Sequence, residues 1–170
     1  NDAAMALYQF LWNEFCDWYL EIAKRSLYQS EDPVARAATQ RTLVETLDAT
    51  LRLLHPFMPF ISEEIWQRLP REAGTAPAFV MVAAFPKAGR KGRDAAAEAG
   101  MAPVIAVVSA IRTIRSESRI SPAVELTVTI GCSAEDAARL RPAVPQIGAL
   151  ARARVSVEPG AARPPQSAHA

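Results

Sequence analysis

The sequence lacks several features that mark membrane and secreted proteins. Its 170 residues contain no run of ~18 consecutive apolar residues, so we expect no membrane-spanning segment. The chain begins Asn1-Asp2-Ala3, without an initiator Met and without the basic-then-apolar pattern of a secretory signal. We therefore expect a piece of a longer protein that is not exported.

Cysteine and histidine are scarce, with two of each in the chain. Cys16 and Cys132 lie in unrelated segments, and without an export signal we expect both to be reduced. These few residues do not supply the paired spacing of a zinc site, so we predict no metal. His169 lies in the C-terminal tail, and His55 precedes a proline near a helix end, where the helix dipole favours a structural imidazole.

Catalytic motifs are missing as well. The sequence has no nucleophile elbow, and Gly89-x-x-Gly92 lacks the Gly-Lys-Ser/Thr ending of a phosphate loop. Glu63 and Glu64 are adjacent, and neighbouring helical residues point about 100° apart, so they do not form a facing carboxylate pair. We predict no catalytic residue, and composition and spacing favour a binding or scaffolding module.

Charge is divided unevenly between the two halves of the chain. The net charge of +1 separates into −4 for residues 1–86, with 7 Lys/Arg against 11 Asp/Glu, and +5 for residues 87–170, with 12 against 7. A polyanion such as RNA would meet mainly the second half or local patches in the first. The candidate RNA contacts are a guanidinium stripe at helical spacing and a basic pair at the end of an aromatic helix: Arg112, Arg115, Arg119, Lys24 and Arg25. The alternative is that these cations are solvated or form internal salt bridges.

The first half has the spacing of packed helices. Residues 2–28 carry two apolar stripes, and a second helix follows over residues 34–54. Ser62 resembles an N-cap that begins a short third helix, and residues 79–82 are expected to be a strand-like strap over the bundle. The spacing also favours the core, rather than base stacking, for the three tryptophans: Trp12, Trp18 and Trp66.

The second half predicts a linker and a small α/β unit. Residues 87–100 are basic and aperiodic, residues 103–118 form a helix, and strands at 125–130 and 154–158 flank a helix that begins at Ser133 and breaks at Pro142 and Pro145. The crossover is long enough for a parallel pair, which we expect to need a third strand from outside the chain. The fold class is mainly α, with the predicted ranges 1–86 helical bundle, 87–100 linker, 101–158 α/β subdomain and 159–170 disordered tail.

Three stretches carry a family resemblance. Residues 53–67, LLHPFMPFISEEIWQ, resemble the helical anticodon-binding domain of the large class I aminoacyl-tRNA synthetases of the valyl, isoleucyl and leucyl group. Residues 10–21, FLWNEFCDWYLE, followed by Lys24, and residues 111–122, IRTIRSESRISP, resemble the valyl type within that group. The resemblance covers roughly residues 1–158.

The resemblance implies a tRNA-binding fragment of a cytoplasmic ligase. Such a parent joins valine to tRNA(Val) using ATP with Mg, in catalytic and editing domains that this chain does not contain. The fragment itself would be inactive and would need no cofactor. Its expected partners are tRNA(Val) and the other domains of its parent, and no DNA or membrane partner is expected. Two alternatives stay open: the equivalent domain of an isoleucyl- or leucyl-type enzyme, and a free-standing helical protein-interaction module.

Overall fold

The structure is a computed structural model that describes residues 2–71, 77–89 and 93–161. The chain divides into two compact units, Asn1–Gly89 and Arg90–Ala170. The prediction of a mainly helical chain with a small α/β part is confirmed. Within the predicted tail 159–170, residues 162–170 lie outside the described residues.

The first unit begins with one unbroken helical stretch that changes its hydrogen-bonding pattern twice. It consists of α1 (Asp2–Gln9), a π-helical segment (Phe10–Leu20) and α2 (Glu21–Tyr28). Phe15 is buried, and its ring centroid lies 6.4 Å from that of Phe10, five residues earlier. The i→i+5 hydrogen bonds of a π-helix are wider than those of an α-helix, and apolar steps of three and four residues do not distinguish the two.

The outcome for the tryptophans is mixed. Trp66 is buried at 2% exposure and Trp18 is half-buried, as core spacing predicts, but the core prediction for Trp12 is wrong because 51% of it is exposed. The stripe that contains Trp12 includes Tyr8, which is also exposed, and the two rings lie 6.3 Å apart. At Tyr8 and Trp12 this face of the helix is therefore largely exposed to solvent.

Helices α3 (Pro33–Leu54) and α4 (Pro59–Gln67) complete the first unit's helical core. Asp32 caps α3 by accepting a hydrogen bond from the amide of Val34, beside Pro at the first helical position. The predicted N-cap at Ser62 is wrong, since α4 already begins at Pro59 and the buried Ser62 hydroxyl donates to the Met58 carbonyl at 2.7 Å. Proline fits the first turn of a helix because its missing N–H has no partner to lose there.

The predicted strand over residues 79–82 is also wrong. Val80–Val82 form a 3-10 turn, and Val80 is buried with Leu51 and Trp66 in the core cluster of this unit. The Val80 amide donates to the Glu63 carboxylate at 2.9 Å, so this backbone N–H is hydrogen-bonded without a neighbouring strand.

The second unit begins with α5 (Ala95–Glu117), whose start corrects the predicted linker 87–100 and the predicted helix start at residue 103. Asp94 caps the helix by accepting from the amides of Ala96 and Ala97, so the alanine-rich segment is helical and Pro103 lies inside the helix. Val104, Val108 and Ile111 form its buried face. By length and composition alone, α5 is the one helix among the described residues that could cross a membrane, and one such helix is weak evidence.

The remaining elements form a parallel crossover. They are β1 (Leu126–Cys132), α6 (Ala134–Leu140), a 3-10 turn (Arg141–Ala143), α7 (Val144–Ala151) and β2 (Ala153–Pro159). The strands pair in parallel, as predicted, and the structure places Leu126 opposite Ala153. Ser133 caps α6 by accepting from the amide of Asp136. The predicted helix break at Pro145 is wrong, because Pro145 lies in the first turn of α7, where proline is tolerated. Within residues 93–161 the sheet has these two strands, and the expected third strand stays a prediction.

Candidate nucleic-acid interface

Arg115, at the centre of the predicted guanidinium stripe, is bound to the backbone of its own unit. Its Nη1 donates to the carbonyls of Ser121 and Val124 at 2.9 and 2.8 Å, and its Nη2 donates to those of Ala151 and Arg152 at 3.1 and 3.2 Å. A guanidinium has five N–H donors, so these four bonds leave only the Nε–H. Arg115 therefore joins the start of β1 to the start of β2 and has little capacity left for a ligand.

Arg112 lies one turn earlier on the same face. Its Nη2 donates to the Leu150 carbonyl at 3.3 Å, and its side chain is exposed. Leu150, Ala151 and Arg152 thus present successive carbonyls at the C-terminal end of α7 to two arginines of α5. Those carbonyls lack partners inside the helix, and a positive charge is favoured at this end of the helix dipole.

Arg119 completes the stripe and is exposed to solvent. Its side chain makes no hydrogen bond or ion pair with the described residues, and its backbone is left-handed at φ 51°. Arg152, which sequence reasoning missed, has the same properties: it is exposed, left-handed at φ 50° and without a side-chain partner in the described ranges. The sequence does not reveal this position, because a left-handed residue at a helix end is usually glycine and here it is arginine.

The basic pair of the first unit lies on α2. Lys24 is paired with Glu21 at 2.5 Å, although its side chain is 58% exposed. Arg25 is exposed, and its side chain has no partner among the described residues. Surface pairs such as Lys24–Glu21 contribute little to stability and exchange readily, so both cations are free to meet an anionic ligand.

The arginines of α3 fit the alternative of internal salt bridges and backbone contacts. Arg52 pairs with Asp48 at 2.6 Å and donates to the Ala84 carbonyl, while Arg36 donates to the Ser30 carbonyl. Arg71 also reaches Asp48, at 3.3 Å, with its guanidinium carbon 3.3 Å from the centre of the Trp66 ring. These cations hold the first unit together.

His55 has the structural role that its position predicts. Its Nδ1 lies 2.8 Å from the Ser62 hydroxyl, and its backbone amide caps α3 by donating to Leu51. The Ser62 hydroxyl has one proton and donates to a backbone carbonyl, so the His55 ring donates from Nδ1 to the Ser62 oxygen. This contact joins the end of α3 to α4 across the proline-rich turn.

The described residues form no candidate metal site. Residues 2–71, 77–89 and 93–161 contain no group of three or more His, Cys, Asp or Glu side chains that could hold a metal ion. Cys16 and Cys132 are both free thiols. Both units do carry exposed cationic side chains, and such groups can bind anions.

A family model identifies the chain. The anticodon-binding domain of tRNA ligases matches residues 1–130, which is most of the sequence. This chain belongs to that family. The match includes all of the first unit, α5 and the first part of β1 in the second, so Arg112, Arg115 and Arg119 lie inside the family domain while Arg152 lies beyond the matched residues.

Similar proteins narrow the resemblance to one kind of ligase. The chain is 47% identical to a valine–tRNA ligase of Listeria monocytogenes over 117 residues, and 47% identical to one of Geobacter sulfurreducens over 144 residues. The matched segments cover 69% and 82% of this chain but 13% and 15% of those proteins. A valine–tRNA ligase of Symbiobacterium thermophilum is 40% identical over 152 residues, 17% of its length. The match therefore spans 13–17% of the length of these relatives.

Proposed function

We propose that this chain is the tRNA-binding module of a valine–tRNA ligase. The observation that carries the proposal is the family match over residues 1–130, together with identities of 40–47% to valine–tRNA ligases. The open alternatives, a module of an isoleucyl or leucyl enzyme and a free-standing interaction module, lack a comparable observation. A cytoplasmic location belongs to the same proposal.

The module acts by position rather than by chemistry. Amino-acid activation with ATP and Mg, and the ligation of valine to tRNA(Val), take place in other domains of the parent, and the present chain by itself is inactive. The described residues contain no group of His, Cys, Asp or Glu side chains that could hold a metal ion, and we assign no chemical step to them. Binding of the anticodon stem-loop here orients the distant acceptor end for the catalytic domain, because phosphate contacts fix the orientation of the nucleic acid and a correctly oriented reactant lowers the barrier to reaction.

The proposed contacts are divided between the two units. Four exposed cations can pair with phosphate oxygens: Lys24 and Arg25 on α2, Arg112 on α5, and Arg119 just after the end of α5. Arg115, the fifth predicted contact, contributes its charge but uses four of its donors on backbone carbonyls, so we assign it a positioning role. Phosphate contacts of this kind orient the RNA, while discrimination between tRNAs requires contacts to bases.

Competition binding tests the proposal. A fluorescent transcript of tRNA(Val) is titrated with the chain, and unlabelled valine, isoleucine and leucine tRNAs compete in separate titrations. We expect saturable binding that tRNA(Val) displaces at the lowest concentration. Displacement led by a leucine or isoleucine tRNA would assign the chain to another member of the group, and a failure to bind any tRNA would support a protein-interaction module instead.

A further inference from the structure

Arg119 and Arg152 share an unusual backbone position. Among the described residues they are the two non-glycine residues with positive φ, at 51° and 50°. Each lies in the cap region at the C-terminal end of a helix. Arg119 follows Ser118, the C-cap of α5, and its amide donates to the Ser116 carbonyl; Arg152 is itself the C-cap of α7, and its amide donates to the Gly148 carbonyl. Glycine is the common residue at such caps because a Cβ is disfavoured in the left-handed region.

Arg115 lies between these two caps and fixes both. Its guanidinium bonds the carbonyl of Arg152 itself and the carbonyl of Ser121, two residues after Arg119. Its own carbonyl accepts the Ile120 amide at 2.9 Å, which closes the turn that contains Arg119. The backbone that presents the two exposed guanidinium groups is therefore rigidly held, although the guanidinium groups themselves have no partner in the described part of the chain.

The local charge favours an anionic ligand. Arg112 and Arg115 add two cations on the α5 face beside the caps. The nearby carboxylates are Glu117, which is exposed on α5, and Glu125, whose charge is balanced by Arg154 at 2.7 Å. The surplus is positive, and its outermost members are two rigidly anchored guanidinium groups, whose planar donors suit phosphate oxygens.

We propose that Arg119 and Arg152 together clamp the sugar-phosphate backbone of the bound tRNA, as a phosphate-binding site of the α/β unit. The inference rests on the proposed function, and it extends the RNA-binding surface beyond the family domain, which ends at residue 130. Arginine in place of glycine at both caps supplies a side chain that the backbone itself does not need. A purely structural role is the competing explanation, since a cation near a helix C-terminus also favours the helix dipole.

Glycine substitution separates the two explanations because glycine suits the left-handed backbone and removes only the side chain. The double variant Arg119→Gly/Arg152→Gly is compared with Arg139→Gln/Arg141→Gln, which removes an equal number of positive charges from the same unit. Arg139 lies in α6 and Arg141 in the 3-10 turn before α7, so the eight-residue helix α7, about 12 Å long, separates this end of the crossover from Arg152. For each protein the affinity for a tRNA(Val) transcript is measured over a series of KCl concentrations, and a thermal melt is recorded.

The clamp predicts that the glycine variant melts at or above the temperature of the unsubstituted chain, yet binds tRNA about ten-fold more weakly, with a salt slope smaller by about two. The glutamine control should keep both the affinity and the slope of the unsubstituted chain. Unchanged binding by the glycine variant would overturn the clamp while leaving tRNA binding by the chain intact. A lower melting temperature with unchanged salt slope would also overturn it, in favour of the helix-dipole role. If the unsubstituted chain binds no tRNA, the proposed function fails first.

Discussion

The indole Nε1 of Trp66 donates a 2.8 Å hydrogen bond to Oδ1 of Asp48, joining α4 to α3. The same carboxylate accepts from Arg52 and Arg71, and Arg71 also covers the Trp66 ring. The tryptophan of the 53–67 motif is thus held on its polar edge by a carboxylate outside the motif. Asp48 is the shared acceptor on which this side of the first unit depends.

Asp48→Ala should lower the free energy of unfolding of the first unit by about 2–3 kcal/mol. The substitution leaves a buried indole N–H and two partly buried guanidinium groups without their acceptor. Urea denaturation followed by tryptophan fluorescence measures the change. Asp17→Ala, at an exposed position on the first helical stretch, is the control and should leave the midpoint where it is. Equal shifts in both variants would show that Asp48 has no special role.

Phe15 and Trp12 should respond oppositely to truncation, although both belong to the same π-helical segment. Phe15 is 6% exposed, and Phe15→Ala should cost about 3–5 kcal/mol of stability because it leaves a cavity. Trp12 is 51% exposed, and Trp12→Ala should cost less than about 1 kcal/mol. Circular dichroism melts of the two variants test this order. A large loss for Trp12→Ala would mean that this face is packed in solution.

Arg115→Lys should destabilise the α/β unit even though it keeps the charge. A lysine ammonium has three donors and no planar fork, so it cannot serve the four carbonyls that Arg115 joins. We expect a loss of about 2 kcal/mol, with faster hydrogen exchange at the Leu126 amide, which pairs with the Arg152 carbonyl. Arg139→Lys, on an exposed i,i+4 pair with Glu135, is the control. If the Leu126 amide exchanges no faster than in this control, Arg115 is not needed to hold the four carbonyls together.

Two glycines should answer alanine substitution with opposite signs. A Cβ at Gly148 would meet the Ala153 carbonyl oxygen at 2.8 Å, and this backbone atom at the start of β2 cannot move aside. Gly148→Ala should therefore destabilise the second unit by about 1–3 kcal/mol. A Cβ at Gly100, inside α5, meets nothing within 4 Å, so Gly100→Ala should stabilise the helix by up to about 1 kcal/mol. Thermal melts of the two variants measure these changes. A raised melting temperature for Gly148→Ala would show that the Ala153 carbonyl does not crowd this position.

The sequence predicted those features of the fold that depend on periodicity and capping. Ser133 predicted a helix boundary, and the alternation of β1 predicted a strand of the parallel pair, because local hydrogen bonds and a two-residue repeat determine these features. Ser62 misled the prediction because a serine followed by two acids also fits a helix interior, where its hydroxyl donates back to a carbonyl.

The candidate site was less accessible from sequence than the fold. Spacing placed Arg112, Arg115 and Arg119 on one face, but spacing cannot show that Arg115 spends its donors on carbonyls 6 to 37 residues away. Nor could it show Arg152, which tertiary structure places beside that face through a crossover helix. Long-range backbone contacts decide which arginine is structural and which is exposed, and these have no local signature in the chain.

A hydroxyl-radical footprint of a tRNA(Val) transcript bound to the chain tests the proposed function most directly. Binding at the anticodon end should protect backbone sugars in the anticodon stem-loop, and part of that protection should be lost in Arg119→Gly/Arg152→Gly. Protection confined to the acceptor stem, or no protection at concentrations that saturate binding, would contradict the claim that this module binds the anticodon end of its RNA.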